Sequence, residues 1–180
     1  MQNSSEIARP ITLLGMMGSG KTSVSQCVAH KLQRQFFDSD AEIEKKSQKT
    51  ISQIFSENGE EFFRALEEKI ITKIIAEKNI ILAIGGGAFV QEKIRNLLLE
   101  KTFCIWLDAS VETIFARLAE DKTRPLLANK SDADKKNTIF DLLQKRRKAY
   151  EKAHLRICVD NLSIEQIAEE ILNKIIKNRP

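Results

Sequence analysis

Residues 15 to 23 read GMMGSGKTS, between the apolar run Ile11-Thr12-Leu13-Leu14 and the segment VSQCVAHKL. Gly15, Gly18 and Gly20 fall too close together for a helix interior or a strand, so the backbone here bends around something. The spacing Gly15-x-x-x-x-Gly20-Lys21-Thr22 fits a P-loop, in which a short strand feeds a glycine-rich loop that opens a helix. Glycines let successive N–H groups turn inward on one anion, and the following helix adds its unpaired N–H groups and positive dipole end. Lys21 would reach the β/γ-phosphates, and the Thr22 hydroxyl would ligate Mg²⁺. Gly18, Ser19, Gly20 and Ser23 complete the loop that would hold ATP. Val24, Val28 and Leu32 recur at helical spacing after it, which a chance glycine turn would not require.

The rest of the composition narrows the class. At 180 residues the chain is long enough for one full α/β core, and a formal charge of +4 is small for that length. Lys and Glu are interspersed, no basic stripe carries aromatics, and there is a single Trp and a single Tyr, so nucleic acid is not the expected partner. A mild positive excess suits small anionic substrates. Cys27, Cys104 and Cys158 are odd in number, far apart and set in apolar segments, which predicts reduced, buried thiols in a cytoplasm. The start MQNSSEIARP has no basic stretch ahead of a long apolar one, so neither a signal peptide nor a membrane span is expected.

Four more apolar runs read as buried strands: around Phe36-Phe37, then NIILAI, TFCIWL and RICVD. Between them lie helical stripes such as Leu66, Ile70, Ile71, Ile74, Ile75 and Ile164, Ile167, Ile171, Ile175. Alternation of this kind predicts a doubly wound α/β domain with a parallel sheet. The polar stretch ANKSDADKKN, residues 128–137, reads as a mobile surface loop, and with DKTRPLL before it the segment is a candidate lid carrying Arg124.

Further signals point to an acceptor. Asp38 and Asp40 of FFDSD stand at the end of the second apparent strand, where open α/β sheets bind ligands. One carboxylate can hold Mg²⁺ and the other can accept from a substrate hydroxyl; a solvated turn with a helix cap is the plainer alternative. Arg64 follows Phe62-Phe63 in ENGEEFFRALEE, Gly85-Gly86-Gly87 closes the third strand, and Arg146 stands four residues before Tyr150 in KRRKAYEKA.

In this order the motifs resemble shikimate kinases over essentially the whole chain. The P-loop resembles GMMGSGKT, the strand-end pair DSD, the phenylalanine-arginine motif Phe63-Arg64, the triple glycine Gly85-Gly86-Gly87 and the lid motif RPLL. The resemblance implies a three-layer α/β/α P-loop fold, similar to nucleoside-monophosphate kinases, with a central, mostly five-stranded parallel sheet and a mobile lid. It implies a single domain over 1–180, with a substrate-binding helical segment about 40–67 and the lid about 120–136. It implies transfer of the ATP γ-phosphoryl group to the 3-hydroxyl of shikimate, with Mg²⁺ as cofactor, in a cytoplasmic monomer with neither nucleic acid nor membrane as partner. Thr22 and Asp38 would hold the metal, and Lys21, Asp40 and Arg124 would be catalytic. Asp40, Arg64, Gly86 and Arg146 would bind the acceptor, the two arginines and the Gly86 N–H gripping its carboxylate. Arg117 would pack on adenine, which Ser163 would also approach, while Arg124 would reach ATP from the lid.

The chain departs from the family pattern in two places. Ala83 and Ile84 stand where a hydroxyl residue is common before the triple glycine, and RRKAY lacks a proline before its tyrosine, leaving Arg147 beside Arg146 as a competitor. FCIWLD ends in Asp108 like a metal-binding strand, but with Thr22 and Asp38 available Asp108 is expected to be structural. Two other readings stay open at this point: a related kinase of another hydroxy acid such as gluconate, and a nucleotide switch that hydrolyses ATP without an acceptor.

Overall fold

The structure, a computed structural model, describes residues 9–118 and 131–177. Five parallel strands form one sheet: β1 (Ile11–Gly15), β2 (Gln35–Asp38), β3 (Ile80–Ala83), β4 (Phe103–Asp108) and β5 (Leu155–Cys158). Their order is β2-β3-β1-β4-β5, with Ile11 in register with Ile81 on one side and Phe103 on the other. Each lies where an apolar run predicts it. Every residue of β1 and β3 is buried, whereas β2 and β5 at the two edges are partly open. Continuous apolar runs therefore belong to the central strands, and the edge strands tolerate polar residues because fewer neighbours cover them.

Helices α1 (Lys21–Leu32), α2 (Ser39–Ser47), α3 (Ile51–Ile74), α4 (Glu92–Lys101), α5 (Val111–Leu118), α6 (Asp132–Tyr150) and α7 (Ile164–Lys177) flank the sheet. α1 packs on α7 and α5 on α6. The stripe Ile167, Ile171, Ile175 of α7 is buried as its spacing predicts; Ile164, at the first turn, is exposed instead. No helix among the described residues is long and apolar enough to cross a membrane.

Two sequence expectations need correction, the polar loop and the buried cysteines. Ser131 caps α6 by accepting from Asp134 N, so residues 132–137 of the expected loop are the first turns of a helix. The lid itself, with Arg124, lies outside the described residues. Cys158 is exposed and Cys27 half-buried; only Cys104 is buried, because an edge strand and a helix flank do not close over a side chain as β4 does.

The topology places the site. β1 lies between β3 and β4, so the connections leaving it and its neighbours open a crevice at its carboxyl end, and the loops after β1, β2 and β3 meet there. Gly15 is required at that point: a Cβ on it would stand 2.6 Å from the Leu107 carbonyl oxygen of β4.

Candidate active site

The loop after β1 turns through Gly18 and Gly20, both at positive φ (74° and 91°), and Gly20 is the N-cap of α1. No side chain caps that helix, so its first N–H groups remain directed at the loop. Lys21 folds back over the loop, its Nζ donating to Met16 O at 2.9 Å. This is the anion cradle that the glycine spacing predicts.

β2 delivers Asp38 beside it. Thr22 Oγ1 donates to Asp38 Oδ2 at 2.8 Å, while Asp38 Oδ1 accepts from the backbone N–H of Asp40 at 3.0 Å and caps α2. Capping thus occupies Oδ1 of Asp38, while Oδ2 faces Thr22 at the loop. A hydroxyl and a carboxylate at the mouth of a phosphate cradle are hard oxygen donors that fit Mg²⁺, which takes few protein ligands and completes its shell with phosphate and water. No cluster of three metal-ligating side chains occurs among the described residues.

Asp40 stands in the first turn of α2, half-buried. Burial pushes its carboxyl above the usual range, the Asp38 charge adds to this, and Lys21 opposes it. A carboxylate with a raised pKa is a better proton acceptor, the property an attacking hydroxyl needs beside it. Ser39 between the two aspartates is buried and accepts from Gly85 N at 3.0 Å, tying α2 to the end of β3.

The triple glycine makes room for three different side chains. A Cβ on Gly85 would stand 2.7 Å from Asp40 Oδ1, one on Gly86 2.8 Å from Arg146 Nη1, and one on Gly87 2.6 Å from Arg64 Nη2. None of these glycines has positive φ, so proximity and not backbone conformation requires them. The N–H groups of Gly86 and Gly87 find no acceptor among the described residues.

Arg64 projects from α3 just beyond Gly59, whose φ of 79° and ψ of 175° break the helix into two pieces. Its Nη1 donates to Glu67 Oε2 at 2.7 Å, and Glu60 pairs with the other side of the guanidinium at 3.2 Å. Glu67 is 1% exposed, and burial pushes its carboxyl up to about 7 against the pull of Arg64. Glu67 escaped the sequence reading, although a signal exists: Phe63, Glu67, Ile70, Ile71 and Ile74 share one buried helical stripe, and Glu67 is its sole charge. Arg146 comes from α6, with Nη1 at 3.5 Å from Met16 Sδ. Arg147 turns away to pair with Glu151 at 3.0 Å, so of the two adjacent arginines Arg146 enters the site.

These groups line one cavity of about 450 Å³. Gly18, Gly20, Lys21, Thr22, Ser23 and Asp38 form its nucleotide half; Asp40, Arg64, Glu67, Gly85, Gly86, Gly87 and Arg146 form the other, with Ile51, Phe55 and Phe63 as an apolar wall. Of that wall only Phe63 was legible in the sequence, as part of the Phe63-Arg64 motif; Ile51 and Phe55 pass there for ordinary core. Arg117 lies next to the loop, donating to Gly18 O at 3.2 Å. Ser163 is set apart from the cavity, exchanging hydrogen bonds with Gln166 at the start of α7. Asp108 is held by Arg156 Nε at 2.8 Å, outside the cavity, as its structural role requires.

The chain is similar in sequence and fold to known proteins. The chain is 41% identical to the shikimate kinase of Persephonella marina over 169 residues, covering 93% of this chain and 99% of that one. Among solved structures it resembles the shikimate kinase from Acinetobacter baumannii in complex with shikimate, with a TM-score of 0.91, 36% identity and coverage of 98% and 99%. A gluconokinase from Sinorhizobium meliloti shares the fold alone, at a TM-score of 0.59 and 17% identity over 95% of each chain. The sequence profile described as shikimate kinase matches residues 17–176, and the chain belongs to the shikimate kinase family.

Proposed function

We propose that this chain transfers the γ-phosphoryl group of ATP to the 3-hydroxyl of shikimate. The observation that carries the reading is one cavity lined by a phosphate cradle on one side and by Asp40, Arg64 and Arg146 on the other. Phosphoryl transfer passes through a loose transition state, so catalysis rests on positioning and charge stabilisation. The P-loop amides and Lys21 hold the β/γ-phosphates in place. Thr22 and Asp38 would hold Mg²⁺, which would supply neutralisation of the phosphate charge. Asp40 accepts a hydrogen bond from the acceptor hydroxyl, orients its lone pair and takes its proton as the new bond forms.

At the opposite end Arg64 and Arg146 converge on the triple glycine, and their planar forks suit a carboxylate. Two arginines for one anion and an aspartate for hydroxyls describe a small polyhydroxy acid. A nucleotide switch has no use for that half of the cavity, and the gluconate kinase reading keeps only a shared fold. We assign Arg117 and Ser163 to the adenine side and Arg124 to the phosphates, on the family resemblance. The same reading makes the protein a cytoplasmic monomer acting on dissolved small molecules.

Coupled measurement of ADP release tests the assignment. Release that depends on shikimate and is not supported by gluconate is expected. ADP release independent of shikimate would overturn it in favour of a switch.

A further inference from the structure

Tyr150 is fully buried at the last turn of α6, four residues after Arg146 and so on the same helix face. Its ring lies against Trp106, with centroids 5.8 Å apart, which accounts for the apolar part of the side chain. The hydroxyl is not spent on the core: it donates to the carbonyl oxygen of Gly86, in the middle of the triple glycine. Three consecutive glycines have little conformational preference of their own, so a loop built from them depends on outside contacts to hold one shape.

We propose that Tyr150 is a positioning residue for the acceptor, one that fixes the Gly86–Gly87 peptide so that the adjacent free amides and Arg146 meet the substrate carboxylate in one geometry. A trans peptide is planar, and its C=O and N–H point in opposite directions. Pinning Gly86 O toward α6 therefore turns the Gly87 N–H away from α6. Arg146 and the Tyr150 hydroxyl both lie against Gly86, where a Cβ would stand 2.8 Å from Arg146 Nη1 and 3.5 Å from the hydroxyl. A single turn of α6 thus sets both a cation and the backbone donors beside it. Ser39 does the corresponding work one residue earlier, through Gly85 N.

The inference rests on the proposed function, and Tyr150→Phe tests it. Phenylalanine keeps the ring on Trp106 and leaves the Gly86 carbonyl without its donor. A lost hydrogen bond of this kind corresponds to roughly a tenfold rise in KM for shikimate. KM for ATP and kcat at saturating shikimate should stay within about twofold, since the Tyr150 hydroxyl bonds the triple glycine and not Lys21. A merely structural tyrosine would give an unchanged shikimate KM, or a parallel rise in both KM values with a lowered melting temperature, and either result overturns the inference. Unaltered protein assayed alongside separates the two claims. If it shows no shikimate-dependent turnover, the proposed function falls and this inference with it; if it turns over normally and Tyr150→Phe matches it, the inference alone falls.

Discussion

Glu67 holds Arg64 from beneath: its Oε2 accepts from Arg64 Nη1 at 2.7 Å while the carboxylate is closed off from solvent by the helix it sits on and the glycines above it. The arrangement costs desolvation of a carboxylate and gains a guanidinium fixed in one direction before any substrate arrives.

That cost has a pH signature. Glu67 titrates at about 7 in the folded protein, above the value of 4.5 for a free glutamate. The folded chain therefore binds more protons than the unfolded one between those values, and the stabilising contribution is fully present below about 4.5 and lost as pH rises through 7. Melting temperatures of the unaltered protein and Glu67→Gln, measured from pH 5 to 8, should diverge in favour of the glutamine variant as pH rises. Asp40 is present in both proteins, and because its charge also pushes Glu67 up, the difference between the profiles includes that coupling. Parallel profiles would contradict the assignment.

Lys21→Met should abolish turnover with the fold intact, because Lys21 faces the loop and not the core. Loss of one cation from a phosphoryl-transfer site costs about 10²–10³ in rate or more. ADP release and circular dichroism on the same sample check both halves of the statement; near-normal turnover would remove the P-loop assignment.

Two glycine substitutions should behave differently. In Gly15→Ala the new Cβ meets backbone at 2.6 Å and φ is 149°, so nothing nearby can yield. A loss on the order of 2 kcal/mol or more, a fall of at least about 4 °C in melting temperature, is expected. In Gly87→Ala the clash is with the end of the Arg64 side chain, which can move. Its melting temperature should change by about 2 °C or less while KM for shikimate rises about tenfold, because Arg64 is displaced. Calorimetry and steady-state kinetics on the pair decide this; equal destabilisation would mean the triple glycine is needed for the fold and not for the guanidinium.

How much of this was legible in the sequence depended on how local the signal is. The P-loop and the five strands are written in short runs whose chemistry and spacing suffice, whereas the assignment of Asp38 to the nucleotide side comes from the family resemblance. Glu67, Ile51 and Phe55 give no such local signal, since each reaches the cavity only when α3 folds over the end of β3. The glycines were expected to admit a ligand; their first neighbours turn out to be Asp40, Arg146 and Arg64, contacts between residues far apart in the chain. The start of α6 reads as loop in the sequence because its first turns are polar throughout, whereas in the structure Ser131 caps it as a helix.

The central claim is that Asp40 serves the acceptor and Asp38 the metal, though a single residue, Ser39, separates them. Calorimetric titration of shikimate and of Mg-ATP into Asp40→Asn and Asp38→Asn tests it most directly. Asparagine keeps the helix cap at position 38, so α2 should remain in place in that variant. Asp40→Asn should lose roughly one to two decades of shikimate affinity, the worth of a charge-assisted hydrogen bond, and keep its affinity for Mg-ATP. Asp38→Asn should bind shikimate normally in the absence of nucleotide and require more Mg²⁺ to bind ATP. The opposite pattern would mean the two carboxylates are exchanged, and unchanged shikimate affinity in both variants would place the acceptor outside this cavity.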